Sequence, residues 1–458
     1  MNFFKKIAKY FPEESNKITP LWIVLAVIAI IIRLIISQLG YNFDIASWGL
    51  VGEIVSNGGV VYTETYRYTT GPVWCYMLAF LYKIHQFLGL SSIQSYHFII
   101  AFFLSLIDVA IALIISKRYN LLWGTLFLFN PISILITGFH SQFDNIAVLI
   151  ALISWIIIKQ TDFKRGHLIS AILVGLSLLT KHIFVFYPLW LFFLNDKIKL
   201  KDRLMHLIVP YLVFFLGFLP FLINPEIRIS VINHVFKYES FNGNGLIAYL
   251  FNFFPSFIIN EALGWIPIFS GLKFFFLIAM VITGYYSAKS KPNELFPLYL
   301  ISMIVFTTAI ADQYFIIPCL ACAMYFRRWE IKAFMIAASF HLIFISPTNI
   351  SSWFTPLLFH KNLAYSLLSS FYYCIVEIKI NSYNLINNFF QFIEGFDTTL
   401  VHDSVQPSSS FIVILKNLLF LLRTIMFPIC QFWLAIFIFR YLFINKMKKT
   451  QIKTANVN

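Results

Sequence analysis

Apolar runs of about 20 residues, the length that crosses a bilayer, recur along this chain. The first extends over residues 21–39. Others include 96–116 and the long stretch 168–194. Chains built this way cannot fold around a single core and still cover themselves with polar groups. Only 12% of the 458 residues are charged and 59% are hydrophobic, whereas soluble proteins carry about 25% charged residues. A soluble enzyme, a disordered protein and a secreted disulfide scaffold are excluded on these grounds. The expectation is a single all-α polytopic membrane domain over residues 1–458.

The net charge of +14 does not point to nucleic acid, and no nucleic-acid partner is expected. The basic residues sit in short tracts between apolar runs, as cytoplasmic anchors do. Cys319 and Cys322 form a C-x-x-C in an apolar stretch with no second pair, so no metal site is implied. No cleavable signal peptide is read ahead of residue 21.

Charge also orders the topology. Lys5, Lys6, Lys9 and Lys17 set residues 1–20 on the cytoplasmic side. Residues 72–90 are apolar but contain Lys83, His85 and Gln86. If this segment lies in the interface rather than crossing, Lys117, Arg118 and the tracts at 159–165, 197–203, 289–291, 327–332 and 446–453 all fall inside. That arrangement predicts a bundle of about 12 transmembrane helices, an estimate from the positive-inside rule. Both ends are then cytoplasmic, including residues 444–458. The outer segments are 40–95, with interfacial helices, then 224–269 and 349–410, plus short pieces at 139–145, at Lys181 and at 310–314.

The outer segments hold most of the reactive side chains. Asp44 follows the first span, where a carboxylate at the membrane boundary can take a proton from a hydroxyl. Tyr62, Tyr66 and Tyr68 surround Arg67. Such residues can stack on a sugar and bind a phosphate, or form an interfacial aromatic belt. His140, Gln142 and Asp144 follow Asn130-Pro131, and Asp144 can equally be a helix cap. Lys181 and His182 divide the stretch 168–194 into two short helices. A lysine there is costly unless it is paired, faces a polar cavity, or snorkels to the interface. Asp108, inside a span, reads as functional or as half of an interhelical pair. Gln313 and Tyr314 add a smaller cluster beside Asp312.

This arrangement resembles the GT-C superfamily of membrane glycosyltransferases, closest to bacterial proteins similar to the second GPI mannosyltransferase. The likeness runs from Asp44 to about Leu194. It comprises Asp44, Trp48, Gly59, Tyr62 and the turn Tyr68-Thr69-Thr70-Gly71-Pro72, then Asp108, Asn130-Pro131, Ser141-Gln142-Phe143-Asp144 and Lys181-His182 ahead of Pro188. The turn lacks its first proline, Ser141 stands where glycine or histidine is common, and Ala311-Asp312-Gln313-Tyr314 lacks the histidine of a later His-Glu-x-Tyr element.

The resemblance implies a GT-C-like bundle and transfer of a hexose, mannose or glucose, from a polyprenyl-phosphate donor to a hydroxyl of a lipid, glycan or protein on the outer face, with inversion. Asp44 would be the general base. Lys181, His182 and Arg67 would hold the donor phosphate. Tyr62, Tyr66, Tyr68, His140, Gln142, Asp144, Gln313 and Tyr314 would line the substrate site. A divalent metal is left open, although Asp44 and Asp144 alone do not make a ligand set. Membrane lipids are the expected surroundings, and a bacterial inner membrane the expected location. The competing readings are a lipid-linked saccharide transporter and a polysaccharide polymerase or ligase.

Overall fold

A computed structural model describes residues 20–38, 41–159, 166–194, 198–237, 246, 268–307, 310–345 and 410–444. These residues are helical, with no strand among them. Helix α1 (Pro20–Ser37) is followed by α2 (Phe43–Ser56), α3 (Val61–Glu64) and α4 (Pro72–Phe87). The long α5 (Ile93–Arg118) leads to α6 (Leu121–Leu128) and α7 (Pro131–Leu135), which passes into a π-helical turn at Ile136–His140. Next come α8 (Asp144–Ile158), α9 (Gly166–Thr180), α10 (Tyr187–Phe192), α11 (Leu200–Leu222) and α12 (Pro225–Val231). The set is completed by α13 (Ile268–Ser290), α14 (Leu295–Phe306), α15 (Cys319–Met324), α16 (Trp329–Phe340) and α17 (Ser410–Phe439).

Local chemistry sets several of the boundaries. Asn42 caps α2 by accepting from Ile45 N, and Ser92 caps α5 by accepting from Ser95 N. Each satisfies a backbone donor that the first turn leaves open. Pro72 and Pro131 open α4 and α7, a position where the missing N–H costs nothing.

Among the described residues, four helical segments are long and apolar enough to cross a membrane: α1, α5, α11 and Ile425–Leu442 at the end of α17. A fifth is obtained if α6 and the segment Pro131–His140, bent by 46° at their junction, count as one broken span. These residues therefore do not reach the expected 12. The remaining apolar sequence is cut into shorter helices such as α8 and α9. Helix α4 is not among the spanning candidates. Residues 1–19, 349–409 and 445–458, and most of 224–269, lie outside the described residues.

Exposed faces suit lipid rather than water. Helix α1 turns Leu21, Ile23, Val27, Ile31 and Ile35 outward, and α11 does the same with Ile208, Leu212, Phe215 and Leu219. The inward stripe of α1 is Trp22, Ala26, Ala29, Arg33 and Ser37. Its small residues permit the close approach on which helix association in lipid depends.

Arg33 resolves the break between α6 and α7. Its Nη2 donates to the carbonyl of Leu128 at 2.9 Å, just before that break, and to Ser133 Oγ at 2.9 Å. Its Nε meets Asp108 Oδ2 at 3.2 Å. Asp108 also accepts from Ser133 Oγ at 3.0 Å, Thr137 Oγ1 at 2.8 Å and Asn145 Nδ2 at 2.5 Å. The ionisable residue inside α5 is thus half of a buried interhelical pair, and its hydrogen bonds tie α1, α7, the π-helical turn and α8 together.

Two apolar cores result. The larger packs α1, the end of α5, α6, α8, α10 and α14 to α17. The smaller is built from Ile45, Trp48, Tyr62, Tyr68, Trp74 and Tyr96, closed by Phe143, Leu179 and Phe218. Gly71 makes the junction possible. A Cβ there would lie 1.7 Å from the carbonyl oxygen of Leu179, so the turn before α4 rests directly on the last turn of α9, two residues short of Lys181.

Candidate active site

The site forms where the smaller core meets the ends of α7, α8 and α9. Asp44 lies in the first turn of α2, half-buried. Its Oδ2 accepts from Gln142 Nε2 at 2.5 Å. Burial holds the Asp44 carboxyl above the usual carboxylate range, against the opposing pull of His140, Lys181 and the Gln142 hydrogen bond. That is the condition of a carboxylate poised to take a proton.

A single irregular turn aims the partners of Asp44. The π-helical turn ends at Ser141, whose φ of 47° and ψ of 49° place it in the left-handed region. This conformation is unusual for a residue other than glycine and is characteristic of functional turns. Beyond it, Gln142 reaches Asp44 while Phe143 and Asp144 turn towards α9. Before it, His140 Nδ1 faces Asn42 Nδ2 at 2.9 Å. The Asn42 oxygen is already used to cap α2, so its amide nitrogen donates and the proton of a neutral His140 sits on Nε2.

Asp144 is the first residue of α8 rather than its cap, and it makes no side-chain capping bond. The carboxylate is buried, and neither oxygen accepts a hydrogen bond. Lys181 Nζ stands 3.4 Å from its Oδ2 and 4.4 Å from the centroid of the Phe143 ring. Trp74 stacks on Phe143 with centroids 4.6 Å apart and planes 13° apart. Trp48 meets both rings edge-on. Lys181 is 5% exposed and does not snorkel outward. An ammonium has three donors, and the Asp144 ion pair occupies one of them at most, so the other two are left for an anion.

Asp44, His140, Gln142, Asp144 and Lys181 are therefore brought together. Arg67 stands beside them, half-buried, its guanidinium 4.5 Å from the ring of Phe43, the neighbour of Asp44. Other expected residues are placed differently. Tyr62 and Tyr68 are wholly buried, the first donating to Thr70 O at 2.9 Å and the second to Gly71 O at 2.5 Å. Their rings shape the turn before α4 and present no face to a sugar. Tyr66 is 74% exposed. The His182 side chain is exposed while Lys181 points inward.

Gln313 and Tyr314 lie on the 3-10 turn Asp312–Ile316, which packs against the π-helical turn and α8. Sequence reading missed the partner of Asp312. His341, just after α16, sets its Nε2 2.8 Å from Asp312 Oδ1, with both residues buried. Asn42, Phe143 and Trp74 were also missed as organisers of the site. The spacing Asn42 to Asp44 was the available signal for the first of them. Among the described residues no group of three or more His, Cys, Asp or Glu could hold a metal ion, and Lys181 supplies a positive charge at Asp144.

The chain matches no protein-family model and no curated protein.

Proposed function

We propose that this chain is an integral membrane glycosyltransferase. It moves a hexose from a polyprenyl-phosphate donor to an acceptor hydroxyl on the non-cytoplasmic side, with inversion. One observation carries the reading: a partly buried carboxylate, Asp44, and a buried ammonium, Lys181, share one site, linked by Gln142, Phe143 and Asp144.

The chemistry follows from these two groups. The acceptor oxygen attacks the anomeric carbon as its proton passes to the Asp44 carboxylate. The bond from that carbon to the phosphate oxygen breaks, and the phosphate departs with the electron pair. Lys181 faces the growing negative charge, and Arg67, held against the ring of Phe43, adds a second cation. A fixed donor opposite a departing anion in a partly dry site contributes on the order of 3–4 kcal/mol. Gln142 orients the base. Resemblance to the GT-C superfamily supports the donor class. A transporter would need ionisable groups along a central path. Here the charge inside α5 is closed against Arg33 and offers no such group.

The test is transfer by the purified protein from a panel of labelled polyprenyl-phosphate sugars. One donor should give product, and Asp44→Asn should abolish it while leaving the protein folded. Transfer at the parent rate in Asp44→Asn would remove the base. No transfer from any member of the panel would remove the donor class.

A further inference from the structure

The described residues carry a second charged region, away from Asp44. It is built by the junction of α13 with α14, the connection between α15 and α16, and the π-helical turn Arg440–Ile444 that continues α17. Six cations belong to it: Lys289, Lys291, Arg327, Arg328, Lys332 and Arg440. The carboxylates packed among them are Glu294 and Glu330. Glu294 accepts from the hydroxyls of Tyr325 and Tyr441 and lies 3.8 Å from Lys291. Glu330 is buried and pairs with Arg440 at 3.0 Å. Both acids are consumed inside the cluster.

The remaining four cations meet no carboxylate among the described residues. Lys289 contacts the Tyr285 hydroxyl. Arg328 lies 5.6 Å from the Tyr441 ring centroid, and Lys332 lies 5.3 Å from that of Phe326. Arg327, Arg328, Lys332 and Lys289 all point outward. Trp329, 49% exposed, stands among them with its ring against Trp433.

Their level in the molecule identifies what they meet. The spanning segment Ile425–Leu442, which runs from α17 into that turn, ends one residue past Tyr441. The apolar helix α8 ends at Ile158, and the next residue, Lys159, donates to Asn293 O at 2.7 Å, beside Glu294. A span and a second apolar helix therefore end at this cluster, which sets it at the depth where hydrocarbon gives way to headgroups. An exposed tryptophan beside arginines is the side-chain chemistry of that layer.

We infer that this end of the bundle is a docking surface for anionic phospholipid headgroups, which supply the negative charge that the protein withholds. Cationic side chains at a membrane surface attract anionic lipid, each adding to the preference. Four that meet no carboxylate among the described residues produce a strong preference over zwitterionic lipid.

The experiment is native mass spectrometry of the full chain, released from detergent containing equal amounts of phosphatidylglycerol and phosphatidylcholine. The parent should retain phosphatidylglycerol in at least tenfold preference. The variant Lys289→Gln/Arg327→Gln/Arg328→Gln/Lys332→Gln should lose most of that preference, while Lys83→Gln, on α4, should keep it. These four side chains have no carboxylate to leave unpaired, so the variant should fold, and an unchanged circular dichroism spectrum checks this. Equal retention of the two lipids by the parent, or full preference in the quadruple variant, would overturn the inference. Neither outcome depends on the reaction proposed for Asp44.

Discussion

Removing Asp108 should do more damage than removing Asp108 and Arg33 together. Arg33 is 1% exposed, and Asp108 is its counter-charge at 3.2 Å. Asp108→Leu leaves the guanidinium buried without that charge. It also strips Ser133, Thr137 and Asn145 of an acceptor. Breaking one side of a buried pair costs about 3–5 kcal/mol. Arg33→Met/Asp108→Leu removes both charges; Ser133, Thr137 and Asn145 lack their acceptor in both variants, so the comparison sets the lone guanidinium of the single variant against the open Leu128 carbonyl of the double, at about 1–3 kcal/mol. The double variant should therefore be more stable than the single one by about 2 kcal/mol, the difference between those two ranges. The assay is equilibrium unfolding in mixed micelles, followed by tryptophan fluorescence. A single variant within about 0.5 kcal/mol of the parent, the ordinary range for a neutral substitution, would refute the reasoning. So would a double variant less stable than the single.

Three further outcomes are expected. Gly71→Ala should destabilise the fold by about 1–3 kcal/mol or more, as overpacking does, because the new methyl meets the Leu179 carbonyl. Thermal unfolding measures it. Ser141→Gly should stabilise by up to about 1 kcal/mol, the cost of the left-handed conformation for a residue with a side chain, read as a rise in Tm. For Asp44, folding raises the carboxyl pKa, so the stability it gives is fully present below the unfolded value and is lost as pH rises through the folded one. Asp44→Asn should then unfold at a higher temperature than the parent at neutral pH, with the gap closing in acid. Transfer by the parent should rise with pH through a midpoint above the ordinary value for Asp, about 3.9. A midpoint at or below that value would contradict the burial of Asp44.

How much of this was legible beforehand depended on whether the information was local. The apolar runs and the low charge marked the helices. Asp44, Gln142, Asp144 and Lys181 stood out because ionisable and amide groups between such runs are expensive without a purpose. Their convergence was not legible, since it depends on Gly71 resting on Leu179 and on the left-handed turn at Ser141. Tyr62 and Tyr68 misled because a tyrosine whose hydroxyl is consumed by a nearby carbonyl looks, in sequence, like one that offers its face. Asp108 could be read either way until Arg33, 75 positions earlier, was found beside it. The division of 168–194 at Lys181 was legible because a lysine interrupts the apolar run, whereas the bend at Asn130-Pro131, which makes one broken span of α6 and α7, was not.

Donor affinity in two variants probes the shared site most directly. Polyprenyl phosphate should bind Lys181→Met at least tenfold more weakly than the parent, since a charge-assisted hydrogen bond contributes about 1.5–3 kcal/mol. It should bind Asp44→Asn about as well as the parent, because the base faces the acceptor. Lys181→Met/Asp144→Asn, which leaves no buried carboxylate unpaired, guards against misfolding and should be equally weak. Parent-like affinity in both lysine variants would mean that Lys181 meets no phosphate, and the division of labour between carboxylate and ammonium would fall.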